Sequence, residues 1–564
     1  MLFYGNTLFN QYALDDSVVL TQNTQVQNGI SAIPSFFQSD YTQGFGNASA
    51  ALTTSRYRPL TLSFFALQYQ FFGLNPFASH FINLLLFSLL VTLLFSFLSD
   101  FTKTYQFTVN PDSFLSKHLV HLTCLLFIAH PIHAEVVANI KGVDEILVFA
   151  FIILSLRYAK IPILKSGQLV FFSRLPSALF FFFALLVKES AIIVLPLLFV
   201  FDVISKKTSI FNYFKSYFVH LLLLLTYIFL HYWAVGWHSH TITDVTNSPF
   251  IYAPPTQAFA TKIWIVLLHF FHFFWPLHLS SDYGFNQIPY ISILSWQFLL
   301  SAVFLILLAV FAIWSYLKQK PIYLLIAWFF IALFPYANFM FDVGAPMADR
   351  FLFQPSLALC LFLAYLFCQF NIKIGPKSNW LFFPVLFCLF LLTFNRNKDW
   401  KNNPTLILHD VQQAPNSARL NLFASEQELL LAKAFEGQSP SPNQTSTQTS
   451  TQTSTQTPTP TPTPTQTQTQ TQSSIHFQLA LHYALKADSI QPNFAPNLER
   501  LGLAYYYTGN YYAAAHQFIH AKQLGIADPN FPSICNQLSV IFRNHAHANQ
   551  NKPSDIAIAD SLIY

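Results

Sequence analysis

The sequence predicts an all-α protein, in which a polytopic membrane helix bundle of about 10–12 helices precedes a soluble helical tail. Composition is the first observation, because apolar residues make up 53% of the 564 residues, 64 are Phe and only 9% are charged. The second is a series of apolar segments, since a helix needs roughly 20 mostly apolar residues to cross a bilayer. The third is a repeat of small and large residues near the C-terminus.

The N-terminal segment carries two adjacent carboxylates, Asp15 and Asp16, just before a polar loop. Residues 1–11 are apolar but too short to cross a membrane, so we expect the true first helix to begin upstream of this chain. Residues 17–55 are polar and form a long first loop. A solvated loop pair or a helix cap is the alternative interpretation of the two aspartates.

Ten apolar segments predict the membrane-spanning helices. They cover residues 80–99, 115–130, 145–159, 170–187, 190–204, 216–234, 295–316, 321–337, 352–370 and 379–395. Basic residues cluster in the loops on one side of this series, which the positive-inside rule assigns to the cytoplasm. These basic residues are Lys103, Lys160, Lys165, Arg174, Lys206, Lys207 and Lys215. The acidic pair therefore faces the other side of the membrane.

The apolar segment 261–279 is expected to dip into the membrane or to lie at its interface without crossing. Pro276 and Pro289 bracket its end. Lys318 and Lys320 then fall on the cytoplasmic side, as the positive-inside rule requires, and everything after Arg396 lies outside.

A change of composition separates a membrane domain, residues 1–400, from the tail. Residues 401–436 predict a first helical segment, 437–474 a disordered Ser/Thr/Gln/Pro insertion, 475–550 a second helical domain and 551–564 a C-terminal tail. The second domain has the spacing of tetratricopeptide repeats (TPR) of about 34 residues. The residues that carry this spacing are Leu501, Gly502, Tyr505, Ala514, Phe518 and Ala521. About two repeats are visible, fewer than the three usually needed for stability.

The five cysteines do not form a CxxC motif or an even-numbered soluble set, so neither a disulfide framework nor a zinc site is predicted. The basic residues lie in short loops, which excludes a nucleic-acid-binding patch.

The stretch HPIHAEVVANIKGVDE brings ionisable residues to the outer end of a membrane helix, where such groups are costly and often functional. Its site candidates are His130, His133, Glu135 and Lys141. His130, His133 and Glu135 suggest a metal site, but the HExxH order is absent and we expect no metal. The structural alternative is a set of interfacial residues bonded to one another.

Three further cationic groups belong to the same face. Lys188 and Glu189 close an apolar run, either as a compensating ion pair or as a phosphate contact. Asp349 and Arg350 precede another membrane helix, and Arg350 has the guanidinium fork that suits a phosphate. The third group is Arg56 and Arg58. Acids and cations on one membrane face suit a general base that works beside an anionic leaving group.

The order of these motifs resembles the TMTC (transmembrane and tetratricopeptide repeat containing) family of protein O-mannosyltransferases. The motifs are the acidic pair, YRPL, FFGLNPFASHFINLLL, HPIHAEVVANIKGVDE, LLVKES, PLHLSSDY, MADRFLFQPS and the tail repeats. The resemblance implies the GT-C glycosyltransferase fold, a polyprenyl- or dolichyl-phosphate-mannose donor, and transfer to Ser or Thr hydroxyls of proteins. It also maps the catalytic pair onto Asp15 and Asp16. Val143, the curtailed first helix and the short repeat array depart from the family pattern.

We therefore predict an inverting transferase in which Asp15 is the general base for the acceptor hydroxyl and Asp16 either orients it or holds the acceptor backbone. Arg58, Lys188 and Arg350 offset the phosphate charge. No cofactor is expected besides the lipid-linked sugar. The compartment is a bacterial inner membrane, or the endoplasmic reticulum in a eukaryote, with the tail outside and available to protein partners. One alternative is a non-catalytic TPR scaffold that binds extracytoplasmic proteins. A lipid-linked sugar flippase is disfavoured, because the helices are polar mainly at their outer ends.

Overall fold

The computed structural model describes residues 2–45, 56–107, 117–159, 174–205, 209–236, 245, 248–340, 342–374, 382–437, 464–525, 531–548 and 552–563. Two compact units make up the chain: residues 1–283 with 288–406, and residues 284–287 with 407–564. The described residues form helices and turns, with one isolated bridge between Asn23 and Phe45, so the all-α prediction is confirmed.

In the part of the chain that the structure describes, the first unit contains a helix in each of the ten apolar segments and five helices that those segments do not predict, at Ile33–Phe36, Pro59–Phe72, Ala134–Ala138, Ile210–Ser216 and Pro255–Phe274. In chain order the helices are α1 (Ile33–Phe36), α2 (Pro59–Phe72), α3 (Pro76–Thr104), α4 (Leu119–Ala129), α5 (Ala134–Ala138), α6 (Val143–Tyr158), α7 (Leu175–Val187), α8 (Val194–Phe199), α9 (Ile210–Ser216), α10 (Phe218–Val235), α11 (Pro255–Phe274), α12 (Trp296–Leu317), α13 (Ile322–Leu333), α14 (Ser356–Ile374) and α15 (Phe382–Asp399). Short 3-10 or π turns lie at Gly5–Phe9, Ser17–Thr21, Val26–Ala32, Pro131–His133, Glu189–Ile193, Val200–Ser205, Phe334–Tyr336 and Asp349–Leu352.

Four described helices, α3, α10, α11 and α12, are long and apolar enough to cross a membrane, and a bent pair makes a fifth. The bent pair is α4 with Pro131–Ala138, and its two halves meet at 56°. Pro131 causes the break, because proline has no N–H for the helical ladder and clashes with the preceding turn. The break places the HPIHAEVV motif at a helix bend instead of inside a continuous span.

Segment 261–279 lies mostly in α11, a helix of 20 residues. Its second turn and its last turn both bond to the connection at residues 275–295. Thr261 Oγ1 accepts a hydrogen bond from the N–H of Ile291 at 3.0 Å, and His272 Nε2 lies 2.9 Å from the hydroxyl of Tyr283. By length and composition α11 could cross a membrane, and these bonds fold the following connection back along the C-terminal two thirds of the helix.

Phenylalanine rings fill the core of the first unit. Phe127, Phe149 and Phe353 are fully buried, and their ring centroids lie 5.5–6.3 Å apart in tilted or edge-on pairs. Such geometry suits the aromatic quadrupole. These three Phe side chains are therefore packing residues, whereas others such as Phe211 and Phe229 are exposed on the surface of the unit.

The second unit contains α16 (Asn403–Gln413) from residue 407 onward, and consecutive helices that pack in pairs. The pairs are α17 (Ala418–Gly437) with α18 (Pro464–Ile490), α19 (Ala495–Tyr507) with α20 (Tyr511–Gln523), and α21 (Phe531–Ala548) with α22 (Pro553–Ile563). Gly502 allows the close approach within the middle pair, because a Cβ there would lie 2.9 Å from the Phe518 ring. The small and large positions of the repeat pattern are thus explained.

Two boundaries in this unit differ from those predicted. Helix α18 begins at Pro464, so residues 464–474 are helical and not part of a disordered insertion; residues 438–463 lie outside the described part of the chain. Residues 553–563 form α22, in which Ala559 and Leu562 join the buried core. The segment predicted as a C-terminal tail therefore completes a third helix pair in the described chain, because its apolar face packs against α21.

Candidate active site

The loop that carries the acidic pair is held in an unusual backbone conformation. Leu14 has φ +47°, in the left-handed region that non-glycine residues rarely adopt. Such a conformation costs about 1–3 kcal/mol and persists only when its surroundings enforce it. The N–H of Leu14 donates to Asn403 Oδ1 at 2.6 Å, and the hydroxyl of Ser17 donates to the Leu14 carbonyl at 3.0 Å. The loop is therefore fixed before any ligand arrives.

Asp16 is buried and joins this loop to the turn that follows α5. Its carboxylate accepts hydrogen bonds from the N–H of Ala13 at 2.9 Å and from the N–H of Lys141 at 2.8 Å. Burial raises the pKa of the Asp16 carboxyl to about 7, and the two N–H donors oppose that rise. Asp16 thus holds the backbone and does not face solvent.

Asp15 is exposed on the other side of the same turn. Its charge acts to raise the pKa values of Arg56, Lys141 and Arg350, so these side chains share one electrostatic field. The charge of Asp15 therefore acts on three of the cations that the sequence singled out, Arg56, Lys141 and Arg350.

A charge cluster lies beside this face and consists of three cations and three carboxylates. Its members are Arg58, Lys141, Lys188, Asp144, Glu145 and Glu189. Asp144 Oδ2 lies 3.3 Å from Arg58 Nη1, 3.4 Å from Lys141 Nζ and 3.3 Å from Lys188 Nζ. The formal charges of the cluster balance and most of its members are buried, so its ion pairs connect distant parts of the chain without a net charge.

The adjacent residues Lys188 and Glu189 do not neutralise each other as the structural alternative proposed. Lys188 Nζ bonds to Glu145 Oε1 at 2.5 Å, whereas Glu189 accepts from Arg58 Nε at 2.8 Å. Burial acts to raise the pKa of Glu189, but the Arg58 guanidinium outweighs it and lowers that pKa below its ordinary range. Each member of the sequence pair is instead matched by a residue distant in sequence.

Arg56 differs from the other cations of this face. Its side chain is half-buried and donates to the carbonyl of Val343 at 3.4 Å, and no described carboxylate lies within 4 Å of it as an ion-pair partner. Burial and the neighbouring Arg58 lower the pKa of the Arg56 guanidinium. An anionic ligand beside Arg56 would therefore supply the counter-charge that favours its protonated form.

Arg350 lies in the 3-10 turn Asp349–Leu352 and not, as the sequence predicted, at the start of a long helix. Its Nη1 lies 2.6 Å from Glu135 Oε1 and 3.4 Å from the carbonyl of Ser281. Its side chain keeps 25% exposure. Asp349 is buried and points elsewhere, with Oδ1 2.9 Å from His272 Nε2. Asp349 thus orients the turn, while Arg350 reaches the open face.

The two histidines of the HPIH motif are structural. His130 stacks on Phe273 with a centroid distance of 4.4 Å, and its Nε2 lies 2.9 Å from the Phe273 carbonyl. His133 Nε2 lies 2.8 Å from Ser356 Oγ. Among the described residues no group of three His, Cys, Asp or Glu side chains is placed to hold a metal ion. The two histidines therefore bond mainly to residues outside the HPIHAEVVANIKGVDE stretch, and not to one another as the structural alternative proposed.

Sequence reasoning did not single out several residues that shape this site. Asn403, Tyr41, Asp144, Glu145 and Tyr336 are the main ones. The Arg58 guanidinium lies 5.1 Å from the Tyr41 ring centroid, and the hydroxyl of Tyr336 donates to Glu145 at 3.1 Å. A second adjacent acid pair, Asp144 and Glu145, was a usable signal, because carboxylates are scarce in this chain.

Comparisons with known proteins agree with the motif order. The chain is 22% identical to a protein O-mannosyl-transferase of Caenorhabditis elegans over 74% of its own length and 57% of that protein. It is 24% identical to human protein O-mannosyl-transferase TMTC3, covering 74% of the chain and 47% of the relative. It is 25% identical to human protein O-mannosyl-transferase TMTC1, covering 74% of the chain and 51% of the relative. No family model and no solved structure matches the chain.

The chain thus spans about half the length of the curated relatives it matches. These relatives support a TMTC-like assignment for it, and its apolar helices support a membrane protein.

Proposed function

We propose that this TMTC-like chain is a membrane O-mannosyltransferase that moves mannose from a polyprenyl- or dolichyl-phosphate donor to Ser or Thr hydroxyls of extracytoplasmic proteins. The observation that carries the proposal is the bond from the Lys141 N–H to Asp16 at 2.8 Å, which places the exposed Asp15 next to the turn that bears Lys141. The charge of Asp15 also acts to raise the pKa values of Arg56 and Arg350. The names of the relatives support mannose transfer. The GT-C fold, the lipid donor and the inverting course are parts of the proposal.

In the proposed reaction Asp15 accepts the proton of the acceptor hydroxyl as its oxygen attacks C1 of the sugar. The bond between C1 and the phosphate oxygen breaks, and the lipid phosphate leaves with the electron pair. Attack from the side opposite the leaving group inverts C1. Asp16 does not touch the acceptor; it holds the turn through its bonds to Ala13 and Lys141.

The leaving phosphate is proposed to lie against Arg56 and Arg350, with Lys141 close by. Arg58 and Lys188 were also predicted as phosphate ligands, but their side chains are only 4% and 7% exposed, against 25% for Arg350. We assign them the role of keeping the site rigid. Cations aimed at the position where negative charge develops stabilise the transition state.

A transfer assay on Asp15→Asn and Asp16→Asn variants tests the proposal. Purified chain in nanodiscs is given dolichyl-phosphate mannose and a Thr-rich peptide. Asp15→Asn should lower kcat by about 100-fold or more, since a general base contributes 10²–10⁴-fold, with little change in donor binding. Asp16→Asn should reduce kcat less and lower the melting temperature. Folded Asp15→Asn protein with wild-type turnover would refute the assignment.

The scaffold alternative is supported by the paired helices of the second unit. It predicts that acid substitutions have no effect, whereas deletion of residues 407–564 abolishes partner binding. The same assay therefore separates the two functions. The bacterial inner membrane and an extracytoplasmic tail remain predictions.

A further inference from the structure

The N-terminal segment runs beside the C-terminal end of α15 and is bonded to it by asparagine side chains. Asn6 Nδ2 donates to the carbonyl of Phe394 at 3.0 Å, Asn397 Nδ2 to that of Phe3 at 2.9 Å, and Asn10 Nδ2 to that of Asn397 at 3.1 Å. Side-chain amides carry both donors and an acceptor, so they suit the join between two backbones that share no regular ladder.

Asn403 is the last contact in this series and reaches the acidic loop itself. Its Oδ1 accepts from the N–H of Leu14 at 2.6 Å, across 389 positions of sequence. Below it, Ala13 packs with the fully buried Trp400 and Leu406. The contact therefore fixes the peptide between Ala13 and Leu14, one residue before the peptide that leads into Asp15.

We infer that Asn403 is a positioning residue for transfer, because its bond to the Leu14 N–H helps to hold the left-handed turn from which the exposed Asp15 side chain emerges. This inference rests on the proposed function. Without the Oδ1 acceptor the Leu14 backbone is free to return to negative φ. The peptide that leads into Asp15 then turns, and the position of the Asp15 carboxylate changes.

The neighbouring Asn402 offers a matched control. Its Oδ1 accepts from the N–H of Thr405 at 3.0 Å and caps the start of α16, but it is not the residue that bonds to Leu14. Asn402→Ala removes a helix cap one position away and leaves the loop contact in place. Asn403→Asp keeps the acceptor oxygen and is the rescue variant.

The experiment has two arms on full-length protein in nanodiscs. Hydrogen–deuterium exchange of a peptide that covers residues 11–17 should speed up in Asn403→Ala, and stay near wild type in Asn402→Ala and Asn403→Asp. In the transfer assay with dolichyl-phosphate mannose, Asn403→Ala should lower kcat by about 10–100-fold with the donor KM within about twofold, since a displacement near 1 Å can cost this much. Asn403→Asp should restore most of the rate.

Unchanged exchange of the 11–17 peptide in Asn403→Ala would show that Asn403 does not hold the Leu14 loop. Faster exchange with wild-type kcat, or equal losses in the Asn402→Ala control, would overturn the positioning role. Wild-type protein that lacks transfer would instead refute the proposed function, and the exchange arm would still decide whether Asn403 holds the loop.

Discussion

The two neighbouring aspartates occupy opposite environments although they are adjacent in sequence. Asp16 is 1% exposed, whereas Asp15 is exposed. The turn begins at the left-handed residue Leu14. Within it the Asp15 side chain points outward and the Asp16 side chain points inward. The pair can therefore divide its roles, one residue for proton transfer and one for structure.

The raised pKa of Asp16 predicts a pH-dependent stability. Burial raises its pKa to about 7, against about 3.9 in an unfolded chain. Between these values the native state binds more protons, so this residue's contribution is full below pH 4 and is lost as pH rises through 7, by at most about 1.4 kcal/mol per pH unit. The melting temperature of wild type minus that of Asp16→Asn, measured from pH 5 to 8, should be smaller at pH 8 than at pH 5.

Asp15→Asn is the control for this titration, because the Asp15 side chain is exposed. This variant should keep the decrease in melting temperature between pH 5 and pH 8. A wild-type advantage over Asp16→Asn that is constant across the range would contradict the buried-acid interpretation.

Replacement of Arg56 tests the phosphate assignment. Arg56→Gln should raise the donor KM by about tenfold or more, since a hydrogen bond to a charged group contributes roughly 1.5–3 kcal/mol. The measurement is initial transfer rate against dolichyl-phosphate mannose concentration. Arg157→Gln is the matched control, because Arg157 lies 4.0 Å from Asp100 with 38% of its side chain exposed. Equal KM values for the two variants would remove Arg56 from the donor site.

At the scale of elements, the turn from α5 to α6 is decisive for the site. It presents the N–H of Lys141 to Asp16 and the Lys141 side chain to Asp144. Gly142 lets this turn close, because a Cβ there would lie 2.2 Å from the carbonyl oxygen of Val136. A backbone atom cannot give way as a flexible side chain can.

Gly142→Ala should therefore displace the turn. We expect transfer to fall by about tenfold or more, with a loss of about 1–3 kcal/mol of stability from overpacking. Gly5→Ala, which meets no atom within 4 Å, should match wild type. Transfer rate and thermal unfolding in nanodiscs are the measurements, and a fully active Gly142→Ala protein would show that the turn does not set the site.

The helices were largely predictable because continuous apolar runs report them directly. The helix bend at Pro131 and the pairing of the charged groups were not, because they depend on contacts between residues distant in sequence. Arg58 and Glu189 are 131 positions apart, and Asn403 is an ordinary polar residue until the fold brings it to Leu14. Spacing along the chain carries no signal for such partners.

At the scale of the whole molecule, the number of membrane crossings depends on α11. The connection at residues 275–295 folds back along the helix and bonds to Thr261 and His272, so we expect α11 to lie at the outer interface without crossing. Lys318 is then cytoplasmic. In a Cys388→Ala background, whose other cysteines are buried, Lys318→Cys should be labelled by an impermeant maleimide only from the cytoplasmic side. Labelling from the outer side would establish α11 as a span.

The asparagine contacts between the first residues and α15 have a consequence for biosynthesis. The ribosome delivers Leu14 at the outset, yet the side chain that accepts its N–H arrives 389 positions later. A nascent polypeptide therefore cannot complete the loop around Asp15 until α15 and Asn403 have left the exit tunnel, which ties the final shape of this loop to completion of the helix bundle.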